Sequence, residues 1–158
     1  MLRRHPFPAR VIPGLWMGSA ASASHAGRLV HNGIDCVVDL REEGADPDAW
    51  PNGISLRHVP MEDHGTPTVD TLRDVATTVA TLVNEGHGVL VHCHAGVERA
   101  PMVVCAALVM MGWSLSDAYQ RVMQTRPESA PTDGQLATLH ALGVALSQRR
   151  DSASNAPS

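Results

Sequence analysis

Residues 89–99 read Val89-Leu90-Val91-His92-Cys93-His94-Ala95-Gly96-Val97-Glu98-Arg99, and after Ala100 the chain continues Pro101-Met102-Val103-Val104-Cys105-Ala106-Ala107-Leu108-Val109-Met110-Met111 to Gly112. The opening apolar run predicts a buried strand. The second run is apolar on nearly every side and too short to cross a bilayer, which predicts a helix in the middle of a core, with Pro101 tolerated near its start and Gly112 past its end. Between them lies a tight loop with a thiol at its start and a guanidinium at its end. If the loop's N–H groups converge they form a nest for an anion, and the helix behind adds the positive end of its dipole. That field favours a thiolate, and an arginine fork can grip two oxygens of one phosphate. Phosphoryl transfer through a cysteine needs these parts together. The plainer alternative is a buried Cys93 at a strand end, an ordinary turn at Gly96 and a solvated Arg99.

The pattern H-C-x-x-G-x-x-R resembles the signature loop of the cysteine-dependent protein tyrosine phosphatase superfamily, and the chain is most similar to its small dual-specificity branch over roughly residues 8–146. The resemblance implies Cys93 as nucleophile, Arg99 as phosphate clamp, and a substrate-binding loop made of His94, Ala95, Gly96, Val97, Glu98 and Arg99. It also implies His92 as a supporting residue that orients the loop backbone. Cysteine phosphatases need a proton donor for the leaving oxygen and later a base for the attacking water. Asp63, thirty positions before Cys93 on the loop Met61-Glu62-Asp63-His64-Gly65-Thr66-Pro67, resembles the family's general acid, although Met61-Glu62 stand where tyrosine-specific members carry Trp-Pro. The alternative for Asp63 is a surface-turn aspartate, and Glu62 is its neighbouring competitor, expected to point the other way.

Two departures from the family pattern matter. Most relatives carry Ser or Thr immediately after the loop arginine, where the hydroxyl assists sulfur as a leaving group; here the residue is Ala100, which predicts that hydrolysis of the cysteinyl phosphate is the slowed step. Glu98 places a carboxylate inside an anion loop, and its side chain is expected to face outward.

Alternation of strand-like and helix-like segments predicts an α/β fold with a central, mainly parallel twisted sheet flanked by helices on both faces, as in dual-specificity phosphatases. The expected elements are a strand pair about Pro13-Gly14, a helix over 20–32, strands at 36–40 and 56–59, a surface loop between them, a helix started by Thr66-Pro67 with Gly86 beyond its end, the strand at 89–91, the central helix, and helices over 115–125 and from a Thr132–Gln135 capping box to about Ser147. Residues 1–150 are expected to form a single catalytic domain, and 151–158 a disordered polar tail.

Composition narrows the classes. The 158 residues carry a net charge of -4 with no basic stripe, which argues against a nucleic-acid partner. All 12 cationic side chains are arginines. Three cysteines without a disulfide pattern suggest a reducing compartment, and neither a signal peptide nor an apolar run of membrane-spanning length is visible, so the expected location is the cytoplasm. No cofactor is expected. His92 and His94, with His58, His64 and His87 as conceivable partners, have poor spacing for a metal site, and none is expected. The expected partner is a phosphorylated protein or small phosphate ester. Two other functions stay open: a phosphate-binding pseudophosphatase with negligible turnover, and a phosphatase of lipid, sugar or metabolite phosphates. A sulfur carrier of the rhodanese type is disfavoured by the Asp63 segment. Sequence leaves oligomeric state open.

Overall fold

The computed structural model describes residues 7–44, 48, 50, 51 and 53–157; the expected surface loop over 42–53 therefore falls partly outside the described residues. A five-stranded sheet runs in the order β1-β2-β5-β3-β4, formed by β1 (Ala9–Ile12), β2 (Leu15–Ser19), β3 (Cys36–Asp39), β4 (Ser55–His58) and β5 (Val89–Cys93). Only β1 and β2, joined by the Pro13-Gly14 turn, pair antiparallel; every other pairing is parallel.

Period-two alternation divides the inner strands between two cores. Leu15 and Met17, Cys36 and Val38, and Val89, Val91 and Cys93 face the larger core, while Val37 and Leu90 face the smaller one with Trp16 packed against it. The larger core is closed by α3 (Val69–Asn84), α4 (Arg99–Met110), α5 (Leu115–Thr125) and α6 (Asp133–Ser154), with α4 packed against α3, α5, α6 and β5. The smaller is covered by α1 (Ala20–Ala23), α2 (Ala26–His31) and the segment carrying Trp50 and Ile54. Helices thus flank both faces, as expected.

Residues 99–109 of α4 are all buried. Each fully buried Val, Leu or Met side chain contributes about 1.5–3 kcal/mol, which fixes the helix and the loop at its N-terminus as one rigid piece. The loops after β2, β3, β4 and β5 gather at the carboxyl edge of the parallel strands, where the order turns from β5 outward to β3 and β4; ligands bind at this edge in such sheets.

Three boundaries differ from expectation. The helix over 20–32 is two short helices. Ser19 and Ser22 form a capping box that starts α1, and the Ser24 hydroxyl closes it on the Ala21 carbonyl at 2.7 Å, because serines satisfy backbone groups that would otherwise continue a helix. The Thr66-Pro67 helix begins later, with Thr68 as its N-cap. The last helix has its Thr132–Gln135 box but extends to Ser154, so 151–154 of the expected disordered tail are helical; Ser152 and Ser154 donate back to the Gln148 and Arg150 carbonyls instead of breaking the turn.

Candidate active site

The loop between β5 and α4 is held by its carbonyls. The His94 carbonyl accepts from the Ala20 N–H at 3.0 Å, the Val97 carbonyl from the Ala130 N–H at 2.7 Å, and the Glu98 carbonyl from the Met102 N–H at 3.1 Å. The Ala95 carbonyl accepts from Arg126 Nη2 at 3.2 Å. Every one of these donors lies outside the loop. In a planar trans peptide the following N–H points opposite to the carbonyl, so the N–H groups of Ala95, Gly96, Glu98 and Arg99 turn toward the concave side. The Gly96 N–H does so visibly, donating to Cys93 Sγ at 3.2 Å. Gly96 sits at φ +70, and a Cβ there would stand 2.7 Å from the Gly18 carbonyl oxygen, so only glycine lets the loop pass this close to the end of β2.

Arg99 is the first residue of α4, 4% exposed, and its guanidinium is pinned from behind. Nη1 donates to the Met61 carbonyl at 3.0 Å and more weakly to the Leu40 carbonyl at 3.4 Å. Nη2 lies 3.2 Å from Asp63 Oδ1. The predicted residues Cys93, Arg99 and Asp63 are thereby brought into one pocket, whose wall also carries His94, Ala95, Val97, Glu98 and His64. Gly96 is not on the wall; it is buried beneath, against the sulfur. Glu62 lines a different cavity with Thr66 and Thr71, as expected of the residue pointing the other way.

His92 is 1% exposed and donates from Nδ1 to the Cys93 carbonyl at 3.2 Å, which assigns the proton to Nδ1 and leaves Nε2 bare. Nε2 is 3.7 Å from Asp39 Oδ1, too long for a hydrogen bond. Burial pushes the His92 pKa down, reinforced by the Arg41 and Arg99 charges and opposed by Asp39, so the ring favours its neutral form. Burial alone would raise the Asp39 carboxyl, but the side-chain and backbone donors of Arg41 outweigh it and hold its pKa below the usual carboxylate value. That pairing in turn raises the Arg41 guanidinium. Burial pushes the Cys105 thiol up to about 12, which leaves it an inert core residue. All three cysteines are free.

Glu98 departs from expectation. It does not face outward into solvent but lines the pocket, with both carboxylate oxygens 2.8 and 2.9 Å from His64 Nδ1. An imidazole on the neighbouring loop draws the side chain across the mouth. From the sequence His64 is a candidate only as a metal partner, and Arg126, which stands behind the loop, belongs to no motif there. Arg126 is 3% exposed, and its Nε lies 3.2 Å from Glu128 Oε1 without hydrogen-bond alignment. The only signal for Arg126 was an arginine at a helix end. Among the described residues the one group compact enough for an ion is Asp63, His64 and Glu98, with donor atoms within 4.8 Å of one another; it contains neither His92 nor His94, nor His58 or His87. The guanidinium already paired with Asp63 makes it an ion-pair cluster, since a second cation would be repelled there. No helix among the described residues is long and apolar enough to cross a membrane.

A family model described as dual specificity phosphatase, catalytic domain, matches residues 15–144. Among curated proteins, mouse dual specificity protein phosphatase 12 is 35% identical over 141 residues, covering 84% of this chain and 41% of that protein. Mouse dual specificity phosphatase 28 is 35% identical over 139 residues, covering 85% of this chain and 82% of the relative. The crystal structure of human DUSP28 superposes with a TM-score of 0.81 at 28% identity, covering 89% of this chain and 99% of that one. The chain thus spans less than half of the first relative's length and most of the second's.

Proposed function

The chain belongs to the family of dual specificity phosphatase catalytic domains, and from that membership we propose that it hydrolyses phosphate monoesters through a cysteinyl-phosphate intermediate. Cys93 is the nucleophile, Arg99 the clamp on two phosphate oxygens, and Asp63 the acid and then the base. In the first step the Cys93 sulfur attacks phosphorus, the bond to the ester oxygen breaks, and Asp63 gives that oxygen its proton. In the second, water attacks phosphorus, the carboxylate of Asp63 takes the water's proton, and the sulfur–phosphorus bond breaks to release phosphate. The loop amides turned inward, together with the start of α4, stabilise charge on the equatorial oxygens without rearrangement.

The observation that carries this reading is that Asp63, thirty positions before Cys93, meets both ends of the β5–α4 loop in one pocket: the sulfur of Cys93, and Arg99 with its Nη2 3.2 Å from Asp63 Oδ1. Among the described residues no Phe, Tyr or Trp lines the pocket. Without an aromatic slot to select the long phosphotyrosine side chain, the pocket is expected to accept phosphotyrosine and, in proteins, phosphoserine and phosphothreonine as well. A pure binding module would have no use for a carboxylate at this position. Three free cysteines suit the reducing cytoplasm.

Turnover of 4-nitrophenyl phosphate tests the assignment. Cys93→Ser is expected to abolish it, vanadate to inhibit the wild type, and Asp63→Asn to lower kcat by roughly 10²–10⁴ for phenyl phosphate, with a smaller loss for the activated nitrophenyl ester. Activity that survives Cys93→Ser would overturn the nucleophile, and equal losses with both esters in Asp63→Asn would overturn the general acid.

A further inference from the structure

We infer that His64 is a positioning residue that clasps the loop carrying Asp63 to the loop carrying Cys93, through Glu98. The inference rests on the phosphatase reading for its effect on rate, though the clasp itself does not. His64 Nδ1 donates to both oxygens of the Glu98 carboxylate, at 2.8 and 2.9 Å, and joins residues thirty-four positions apart. Glu98 is the N-cap of α4 yet makes no side-chain cap bond. A carboxylate at a helix start ordinarily satisfies the free N–H groups there; this one is drawn to His64 instead, leaving those N–H groups for a ligand. The backbone of His64 is at φ +58, the sole positive φ outside glycine among the described residues. That conformation is uncommon for a residue with a side chain and persists where the surroundings impose it. The Nε2 atom of the same ring lies 3.8 Å from Asp63 Oδ2, so the ring stands between the two carboxylates.

Two consequences follow for the reaction. With the clasp closed, Asp63 is held over the pocket beside Arg99 instead of sampling the solvent that its 53% exposure would allow. The Glu98 carboxylate is also turned toward an N–H donor, which lessens the repulsion a bare carboxylate would exert on an entering phosphate at the pocket wall.

The test compares His64→Gly with His64→Asn. Glycine keeps the positive φ without cost but deletes the clasp, whereas asparagine tolerates the same φ and retains an N–H donor. His64→Gly is expected to lower kcat/KM for phenyl phosphate about three- to tenfold more than for 4-nitrophenyl phosphate, since the poorer leaving group depends more on a well-placed acid and an exposed clasp has modest strength. His64→Asn is expected to recover most of that difference. Amide hydrogen exchange over residues 62–66 should rise in His64→Gly and return toward wild type in His64→Asn. Unchanged exchange, equal losses with both esters, or an asparagine variant no better than the glycine variant would overturn the clasp. A wild type inert toward both esters would instead overturn the phosphatase reading, and the exchange measurement would then decide the clasp alone.

Discussion

Replacing Gly96 by alanine puts two separate costs on the loop beneath the sulfur. The backbone there is left-handed at φ +70, which costs an L-residue about 1–2 kcal/mol. The added methyl would also stand 2.7 Å from the Gly18 carbonyl oxygen, 2.8 Å from its carbon and 3.0 Å from the Ser19 nitrogen, all backbone atoms at the end of β2 that cannot rotate aside. Overpacking of this kind costs about 1–3 kcal/mol. The sum, about 2–5 kcal/mol, is a large share of the 5–15 kcal/mol by which a domain is typically stable. With a urea slope of about 2 kcal/mol/M, the unfolding midpoint should fall by about 1–2.5 M. Turnover should fall as well, because any relaxation that relieves the contact turns the Gly96 N–H away from Cys93 Sγ. Gly27 in α2 is the control: its φ lies outside the left-handed range and nothing stands within 4 Å of its missing Cβ, so Gly27→Ala should be neutral or stabilise by up to about 1 kcal/mol. Urea titration followed by circular dichroism, with activity on the same samples, decides the matter. A Gly96→Ala protein that unfolds at the wild-type midpoint and retains full activity would refute the reasoning.

Two more predictions concern the residues flanking that loop. Ala100 is fully buried, follows Arg99 in the first turn of α4 and offers no hydroxyl, so rapid-quench kinetics should show a burst of product followed by slow turnover; Ala100→Ser should raise the steady rate by roughly tenfold, the worth of one hydrogen bond, while leaving the burst rate in place. Absence of a burst in the wild type would remove the premise. His92 and Asp39 together predict acid sensitivity. Both titrate lower in the folded protein than in the unfolded chain, so each contributes stability that is fully present above its unfolded pKa and is lost as pH falls toward its folded one. The His92 part should begin to disappear below pH 6.5 and the Asp39 part below 3.8, the ordinary values of the two groups. Thermal unfolding of the wild type should weaken from neutral pH toward 5, and His92→Gln should flatten that fall; equal slopes for the two proteins would count against a buried neutral imidazole.

The central strand, loop and helix were legible because their signals are local: an apolar run, a glycine where the chain must turn, and a second run apolar on every face. The pairing of Cys93 with Arg99 followed from the same stretch, and Asp63 from its resemblance to a known loop. What escaped notice was tertiary. The orientation of Glu98 depends on an imidazole that only the fold brings near, and an outward-facing side chain was the reasonable expectation from the loop alone. Arg126 reaches the Ala95 carbonyl across thirty-one positions, and no periodicity reports such a contact. Helix ends are least legible where serines decide them, since the same kind of hydroxyl closes α1 at Ser24 and keeps α6 going at Ser152.

The carbonyls of the loop are secured by donors from the start of α1, from Arg126 at the end of α5, from Ala130 and from the first turn of α4. A chain in which any of these segments has yet to dock lacks a complete receptor for an oxyanion. On the proposed reading, the inward set of the loop amides is thus a property of the assembled fold and not of the loop alone. Inorganic phosphate that bound this loop only in the folded protein would stabilise it by mass action.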